Sequence, residues 1–401
     1  MRFTRPKRQD AAMMKPPRFP KIAAEVDGHR LSLAITGADR RAAILKLVNE
    51  ARHRLRLFYY IFGDDEISTE VREALIDARN RGVEVTLLVD SFGTSDKPDS
   101  VYADFVDAGI CFARFHSTWG RRYLLRNHQK IIVADEKRAL VGGTNINDAY
   151  FGDAPDGSSW HDLCLTIEGA AAKRLAAYFD DLKAWMLGER KSLRTLVQIL
   201  KQHSDGQGSI RWLMGGPFQR LSPLTHTINV DLNRAKRLDM IHAYFSPNWG
   251  MLRRIGRIVT RNKGHARVIT AGRSDSLTTM FAARHCYRRL LKSGVEVAEF
   301  LPQLLHMKLI VVDNIVYIGS ANFDMRSLYM NTEIMVRIED KGLAEQMRAF
   351  VEAHAPYLDL ITRAEHHNRS SWWNRARWLL AYFFVSTVDS SVTRGLAVPG
   401  R

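Results

Sequence analysis

Two stretches of the chain, "NHQKIIVAD" at 127–135 and "LHMKLIVVD" at 305–313, follow one pattern. Each sets a histidine and a lysine two residues apart, runs into apolar residues and stops at an aspartate. Residues i and i+2 of a strand face the same side. His128 and Lys130 therefore project together, as do His306 and Lys308. Downstream, "GGTN" returns Asn145 toward His128 and "GSAN" returns Asn322 toward His306. Imidazole, ammonium, carboxamide and a backbone open to close approach at Gly142–Gly143 or Gly319–Ser320 suit one phosphodiester. Ammonium and amide donors stabilise its non-bridging oxygens as charge builds in the transition state. Imidazole supplies a nucleophile or a proton near neutral pH. The motif residues His128, Lys130, Asp135, His306, Lys308 and Asp313 form the expected catalytic set, with Asn145, Asn322 and Ser320 as phosphate ligands.

Each copy offers one histidine, whereas covalent cleavage needs a neutral nucleophile and a protonated acid. Two copies facing each other across a pseudo-twofold axis supply both, in environments that push the two pKa values apart. Each imidazole also needs a carboxylate on its other ring nitrogen to fix the tautomer. Asp162 in "WHDLCL" and Glu333 in "MNTEIM" are the candidates. Asp135 and Asp313 stand where a strand meets a turn, so they are expected to hold the hairpin rather than touch substrate. No metal or other cofactor is expected: lysine is a poor ligand, and no H-x-H, C-x-x-C or HExxH spacing occurs.

The elements that carry these residues occur twice. "RLRLFYYIF", "VEVTLLVD" and "ICFARFH" read as strands separated by helical stretches, before the first motif, "ALVGG" and "HDLCLTIEG". "DMIHAYFSP", "ARVITAG" and "VEVAEFL" repeat that order before the second motif, "VYIGSANF" and "TEIMVRIED". Strands alternating with helices predict α/β sheets covered by helices, with a hairpin at each motif. The expected division is a basic, proline-rich arm over 1–35, a first half over 36–190, a linker over 191–210, a second half over 211–355 and a tail over 356–401.

The 401 residues suffice for two domains, and 46% hydrophobic residues can build two cores. The net charge of +16 points to an anionic partner without choosing among nucleic acid, phosphorylated substrate and lipid surface. Three scattered cysteines support no disulfide framework and fit a reducing compartment. The N-terminus lacks the apolar stretch of a signal peptide or anchor.

The pair "HQKIIVAD…GGTN" and "HMKLIVVD…GSANFDMRSLYMNTE" resembles the phospholipase D superfamily, and "GSANFDMRSLYMNTE" resembles its bacterial cardiolipin synthases. The resemblance covers roughly residues 35–355. It implies two similar α/β/α sandwich halves related by a pseudo-twofold, one active site between them within a single chain, a covalent phosphohistidine and no metal. It carries His128 and His306 over as nucleophile and acid/base, Lys130, Lys308, Asn145 and Asn322 as phosphate ligands, and Asp162 and Glu333 as supports of the histidines. Without N-terminal transmembrane helices, the chain resembles the shorter, anchor-free type.

The tail "SSWWNRARWLLAYFFVST", 370–387, mixes aromatic and basic residues in a run too short to span a bilayer. That composition suits the headgroup boundary of an anionic membrane. The alternative is a helix docked on the protein's own core. The resulting expectation is peripheral attachment at the cytoplasmic face of the cell membrane, with phospholipid substrates, phosphatidylglycerol the simplest, and no nucleic acid. The expected function, which the resemblance implies, is phosphatidyl transfer between phospholipids. Hydrolysis to phosphatidic acid uses the same first step, and a nuclease or a catalytically idle membrane-binding protein are the remaining readings.

Overall fold

The computed structural model describes residues 19–116, 125–152, 157–189, 191–204 and 207–388. Two eight-stranded sheets form its frame. The first runs Ala23–Val26, His29–Ala34, Cys164–Glu168, Arg138–Gly142, Ile131–Ala134, Arg54–Tyr59, Glu84–Asp90, Cys111–Phe115. The second runs Ile210–Gly215, Glu333–Glu339, Ile315–Gly319, Lys308–Val312, Arg237–His242, His265–Ala271, Glu296–Phe300, Leu358–Ile361. Seven strands match in order between the sheets. Ala23–Val26 is the extra edge of one, and Leu358–Ile361 closes the opposite edge of the other.

The motif strands lie mid-sheet, which is why they read as continuous apolar runs: every residue of Ile131–Ala134 and of Lys308–Val312 is buried. Each pairs antiparallel with its hairpin partner and, on its other side, with Arg54–Tyr59 or Arg237–His242. The parallel pairs that follow are joined through helices such as Glu66–Asn80 and Leu277–Lys292.

The motif aspartates set the hairpins. Asp135 and Asp313 take positive φ, 52° and 47°, at the turns. The Asp135 carboxylate accepts from the backbone N–H groups of Arg52, His53 and Arg54, and that of Asp313 from those of Lys236 and Arg237. Both therefore stitch the hairpin to the neighbouring strand's start. Neither lies with the reactive groups, which removes them from the catalytic set.

The sheets pack together through one core. Val141, Leu165 and Ile167 face it from the first sheet, Val316, Ile318 and Val336 from the second, with helices Ala170–Leu187 and Lys341–Ala353 contributing Leu175, Phe179, Met347 and Phe350. Separate apolar clusters cover each outer face beneath the remaining helices. The two halves are thus helix-covered sheets that share an apolar interior.

Three segments differ from their expected character. The stretch 191–210 holds the helix Leu193–Gln202, which buries Leu193, Leu196, Val197 and Leu200, three of them in the shared core. Residues 1–18 lie outside the described residues, but 23–34 of the expected arm form an edge hairpin. The tail supplies a sheet strand and then the helices Arg363–Arg369 and Trp372–Phe383. Trp378, Ala381 and Tyr382 of the last helix are buried, whereas Trp372, Trp373, Leu379, Leu380, Phe383 and Phe384 are exposed. Among the described residues, no helix is long and apolar enough to cross a membrane.

Candidate active site

His128 and His306 line the same cavity, of about 240 Å³, with Asn145 and Asn322. Main-chain bonds between the halves bring them there. His128 N–H donates to Thr332 O, and His306 N–H donates to His161 O, both at 2.9 Å. Thr332 and His161 immediately precede Glu333 and Asp162. Each histidine is therefore presented to the other half's carboxylate. His306 Nδ1 lies 2.8 Å from Asp162 Oδ2, and His128 Nδ1 lies 3.2 Å from a Glu333 oxygen. Both carboxylates are fully buried. They stay below the usual carboxylate range: burial raises them, but the histidine hydrogen bonds and lysine charges outweigh it. An ionised partner accepts Nδ1–H and leaves each Nε2 as the free ring nitrogen.

The two carboxylates are supported differently. A Cβ on Gly143 would sit 2.6 Å from both Asp162 oxygens, so only glycine leaves room there. At the equivalent position Ser320 Oγ donates to Glu333 Oε2 at 2.5 Å and accepts from Ile334 N–H. Ser320 is fully buried and does not line the cavity. This geometry makes it a support of Glu333 rather than a phosphate ligand.

Lys130 and Lys308 lie behind the histidines. Both are 1% exposed, and each Nζ donates to the carbonyl of the histidine two residues earlier. Burial lowers them to about 7 and about 8, against the pull of the Glu333 and Asp162 carboxylates. Burial also lowers both histidines, to about 4 for His128 and about 3 for His306, and the lysine two residues on adds to it. Both imidazoles are thus held neutral at pH 7, and neither environment sets one ring apart as the acid.

Asn145 Oδ1 accepts from Ile61 N–H and its Nδ2 donates to Tyr150 Oη, while Asn322 Oδ1 is buried with no partner among the described residues. Among the described residues no cluster of three His, Cys, Asp or Glu is placed to hold a metal ion.

A family model described as "Cardiolipin synthase, PLD-like domain" matches residues 44–183 and 229–354. The chain belongs to this phospholipase D-like family. Similar curated proteins include the cardiolipin synthase of Geobacillus sp. (strain WCH70), 31% identical over 74% of this chain and 60% of the relative. Cardiolipin synthase 2 of Bacillus cereus is 29% identical over 76% and 60%, and the cardiolipin synthase of Geobacillus kaustophilus 29% over 84% and 70%. The chain spans about 60% of the length of the first two. Among solved structures, a phosphatidylserine synthase of Haemophilus influenzae Rd KW20 matches with a TM-score of 0.68 at 17% identity, covering 94% of this chain and 97% of that one. A polyphosphate kinase of Porphyromonas gingivalis matches at 0.55 and 14%, covering 92% and 54%. Both likenesses speak to the fold.

The site of this phospholipase D-like chain holds further residues that the motifs do not announce. Tyr60 meets His128 edge-on at 4.9 Å between ring centres, and Tyr150, Trp160 and Tyr244 surround His306 at 5.2, 5.3 and 6.2 Å. Tyr150 Oη lies 3.5 Å from His306 Nε2. Arg126 and Arg326 line the same cavity, and Arg126 is lowered by burial and then by the Arg326 charge. The repeat holds the missing signal. Trp160 and Asn331 both stand two residues before a carboxylate, and both line the cavity.

Proposed function

We propose that the chain is a phosphatidyltransferase that moves a phosphatidyl group between phospholipids through a phosphohistidine, as a cardiolipin synthase does. The observation that carries this is the crossed pairing, in which each histidine of one half is oriented by the carboxylate of the other. In the first step His128 Nε2 bonds to phosphorus and the bond to the headgroup oxygen breaks. His306, protonated once the anionic phosphodiester lies between the imidazoles, gives that oxygen its proton through Nε2. In the second step the acceptor hydroxyl passes its proton to His306 and bonds to phosphorus as the P–N bond breaks. Lys130 and Lys308 supply positive charge behind the phosphate, and Asn145 and Asn322 offer amide donors.

Water as acceptor would give hydrolysis instead. The Arg126–Arg326 pair favours transfer: two like-charged guanidinium groups beside the histidines fit an acceptor with a phosphate of its own, phosphatidylglycerol the simplest. The reading extends to peripheral attachment at the cytoplasmic, anionic membrane surface through the exposed residues of Trp372–Phe384. Incubation with labelled phosphatidylglycerol vesicles tests it. Cardiolipin and glycerol are the expected products; phosphatidic acid without cardiolipin overturns transfer.

A further inference from the structure

A second basic site lies away from the catalytic cavity. The last turn of helix Leu277–Lys292, helix Arg363–Arg369 and the start of helix Trp372–Phe383 enclose a pocket of about 370 Å³. Arg288, Lys292, Arg363 and Arg375 line it, and no acidic side chain does. Nearby arginines are already matched: Arg284 with Glu299 at 2.8 Å, Arg369 with Asp359 at 3.1 Å. By contrast, Arg288, Lys292 and Arg375 have no ion pair among the described residues. Arg363 donates to the carbonyls of Leu291 and Lys292, which fixes one wall, and Arg375 donates to Ser370 Oγ at 3.3 Å. His366, at the pocket, is lowered by burial and also by the charges of Arg375, Arg288 and Arg369, so the local field is positive. The N-terminus of the twelve-residue helix Trp372–Phe383 adds to it.

We infer that this pocket binds the phosphate of an anionic phospholipid headgroup in the bilayer, as a non-catalytic docking site. The surroundings select the bilayer as the source. Trp372 and Trp373 stack at 3.6 Å, are 65% and 63% exposed, and stand on the first helical turn beside the pocket. Exposed Leu379, Leu380, Phe383 and Phe384 continue the apolar surface along the same helix. Aromatic rings beside unpaired cations fit the headgroup layer. The helix Leu277–Lys292 links the two sites. Asp275, just before it, lines the catalytic cavity, and Arg288 lies roughly 16 Å along the helix from its first residue, Leu277, at about 1.5 Å per residue. A headgroup held at its far end would fix which way the cavity faces. The inference rests on the attachment reading above.

The test is sedimentation of the full chain and the double variant Arg288→Gln/Arg375→Gln with phosphatidylglycerol-containing and phosphatidylcholine vesicles. The full-length variant Trp372→Ser/Trp373→Ser, at two exposed positions, and turnover of a dispersed short-chain substrate run in parallel. At about fivefold per cation near the surface, the double variant should bind anionic vesicles roughly 30-fold more weakly. Its binding to neutral vesicles, its melting temperature and its short-chain turnover should stay unchanged. Unchanged anionic-vesicle binding overturns the pocket, as does an equal loss on neutral vesicles. Inorganic phosphate at millimolar concentration protecting the wild-type pocket without vesicles would make it a soluble-anion site and also overturn the inference. If the tryptophan variant is released and the arginine variant is not, attachment stands and the pocket falls; if neither is released, both fall.

Discussion

The crossed carboxylates make Asp162→Asn the most informative perturbation. Asp162 Oδ2 accepts from His306 Nδ1, and its Oδ1 accepts from Leu163 N–H at 2.8 Å. An asparagine keeps the shape but has one acceptor oxygen. With that oxygen on the fixed backbone N–H, the new NH2 faces His306 Nδ1 and forces the proton to Nε2. The charge-assisted bond lost is worth about 2–3 kcal/mol. With the wrong tautomer added, the loss should reach roughly 10³–10⁴ in kcat, the scale on which such orienting carboxylates act. The variant should behave as a His306 variant although it lies in the His128 half. An activated phosphodiester with an aryloxide leaving group needs no acid, so formation of the His128 adduct should recover in Asp162→Asn and not in Glu333→Gln. Quench-flow release of the aryloxide, with the labelled adduct mapped by peptide, measures this. Recovery in Glu333→Gln instead would exchange the histidine roles. A loss under tenfold in Asp162→Asn would refute the orienting argument itself.

Three further outcomes follow from the same geometry. Gly143→Ala should abolish turnover while leaving the substrate-contacting residues intact, because its methyl group would displace both Asp162 oxygens; activity and a thermal melt separate this from unfolding. Asp135→Ala removes the acceptor of three backbone N–H groups and puts alanine at φ 52°, so urea denaturation should show a loss of about 2–3 kcal/mol with kcat within about twofold. Stability should fall as pH drops from 6.5 toward 4. Burial holds His128, His242, His306 and His354 below their unfolded pKa, so across that window the unfolded chain binds protons there that the folded one does not; these four outnumber Asp90 and Asp324, which burial raises to about 6 and which act in the opposite sense, so melts from pH 4 to 7 test the net sign, and a flat profile refutes it.

How much of this was legible beforehand depended on whether chemistry or packing fixed a residue. The repeat, the hairpins and the convergence of two histidines followed from strand periodicity and from needing two roles for one phosphorus. What was missed were contacts that only packing reveals. "SLRTLVQILKQ", expected as a linker, does carry a helical signal, with Leu193, Leu196, Val197 and Leu200 at i, i+3, i+4 and i+7 and no glycine or proline; what could not be read is its partner, since the core that buries its leucines forms from residues on either side of it in sequence. The aromatic wall of His306 is likewise invisible in a strand-by-strand reading, because Tyr150 and Trp160 belong to the first half and reach that ring only through the interface between halves.

The Gly143/Ser320 difference shows why one letter was misleading. The sequence presents Ser320 as an additional hydroxyl near a phosphate site. In the fold the residue at that position answers to the carboxylate beside it. The shorter Asp162 packs its oxygens against the Gly143 backbone, where a side chain has no room, while the Ser320 hydroxyl donates to the longer Glu333. Glycine–aspartate and serine–glutamate are therefore two solutions to holding an ionised group under an imidazole. A swap at one partner should fail where a paired swap partly recovers, since each single change leaves either a clash or a buried carboxylate oxygen without its donor. The double variants Gly143→Ser/Asp162→Glu and Ser320→Gly/Glu333→Asp, each set against its singles in turnover, measure that coupling. Strict additivity would mean that the two positions do not act through one another.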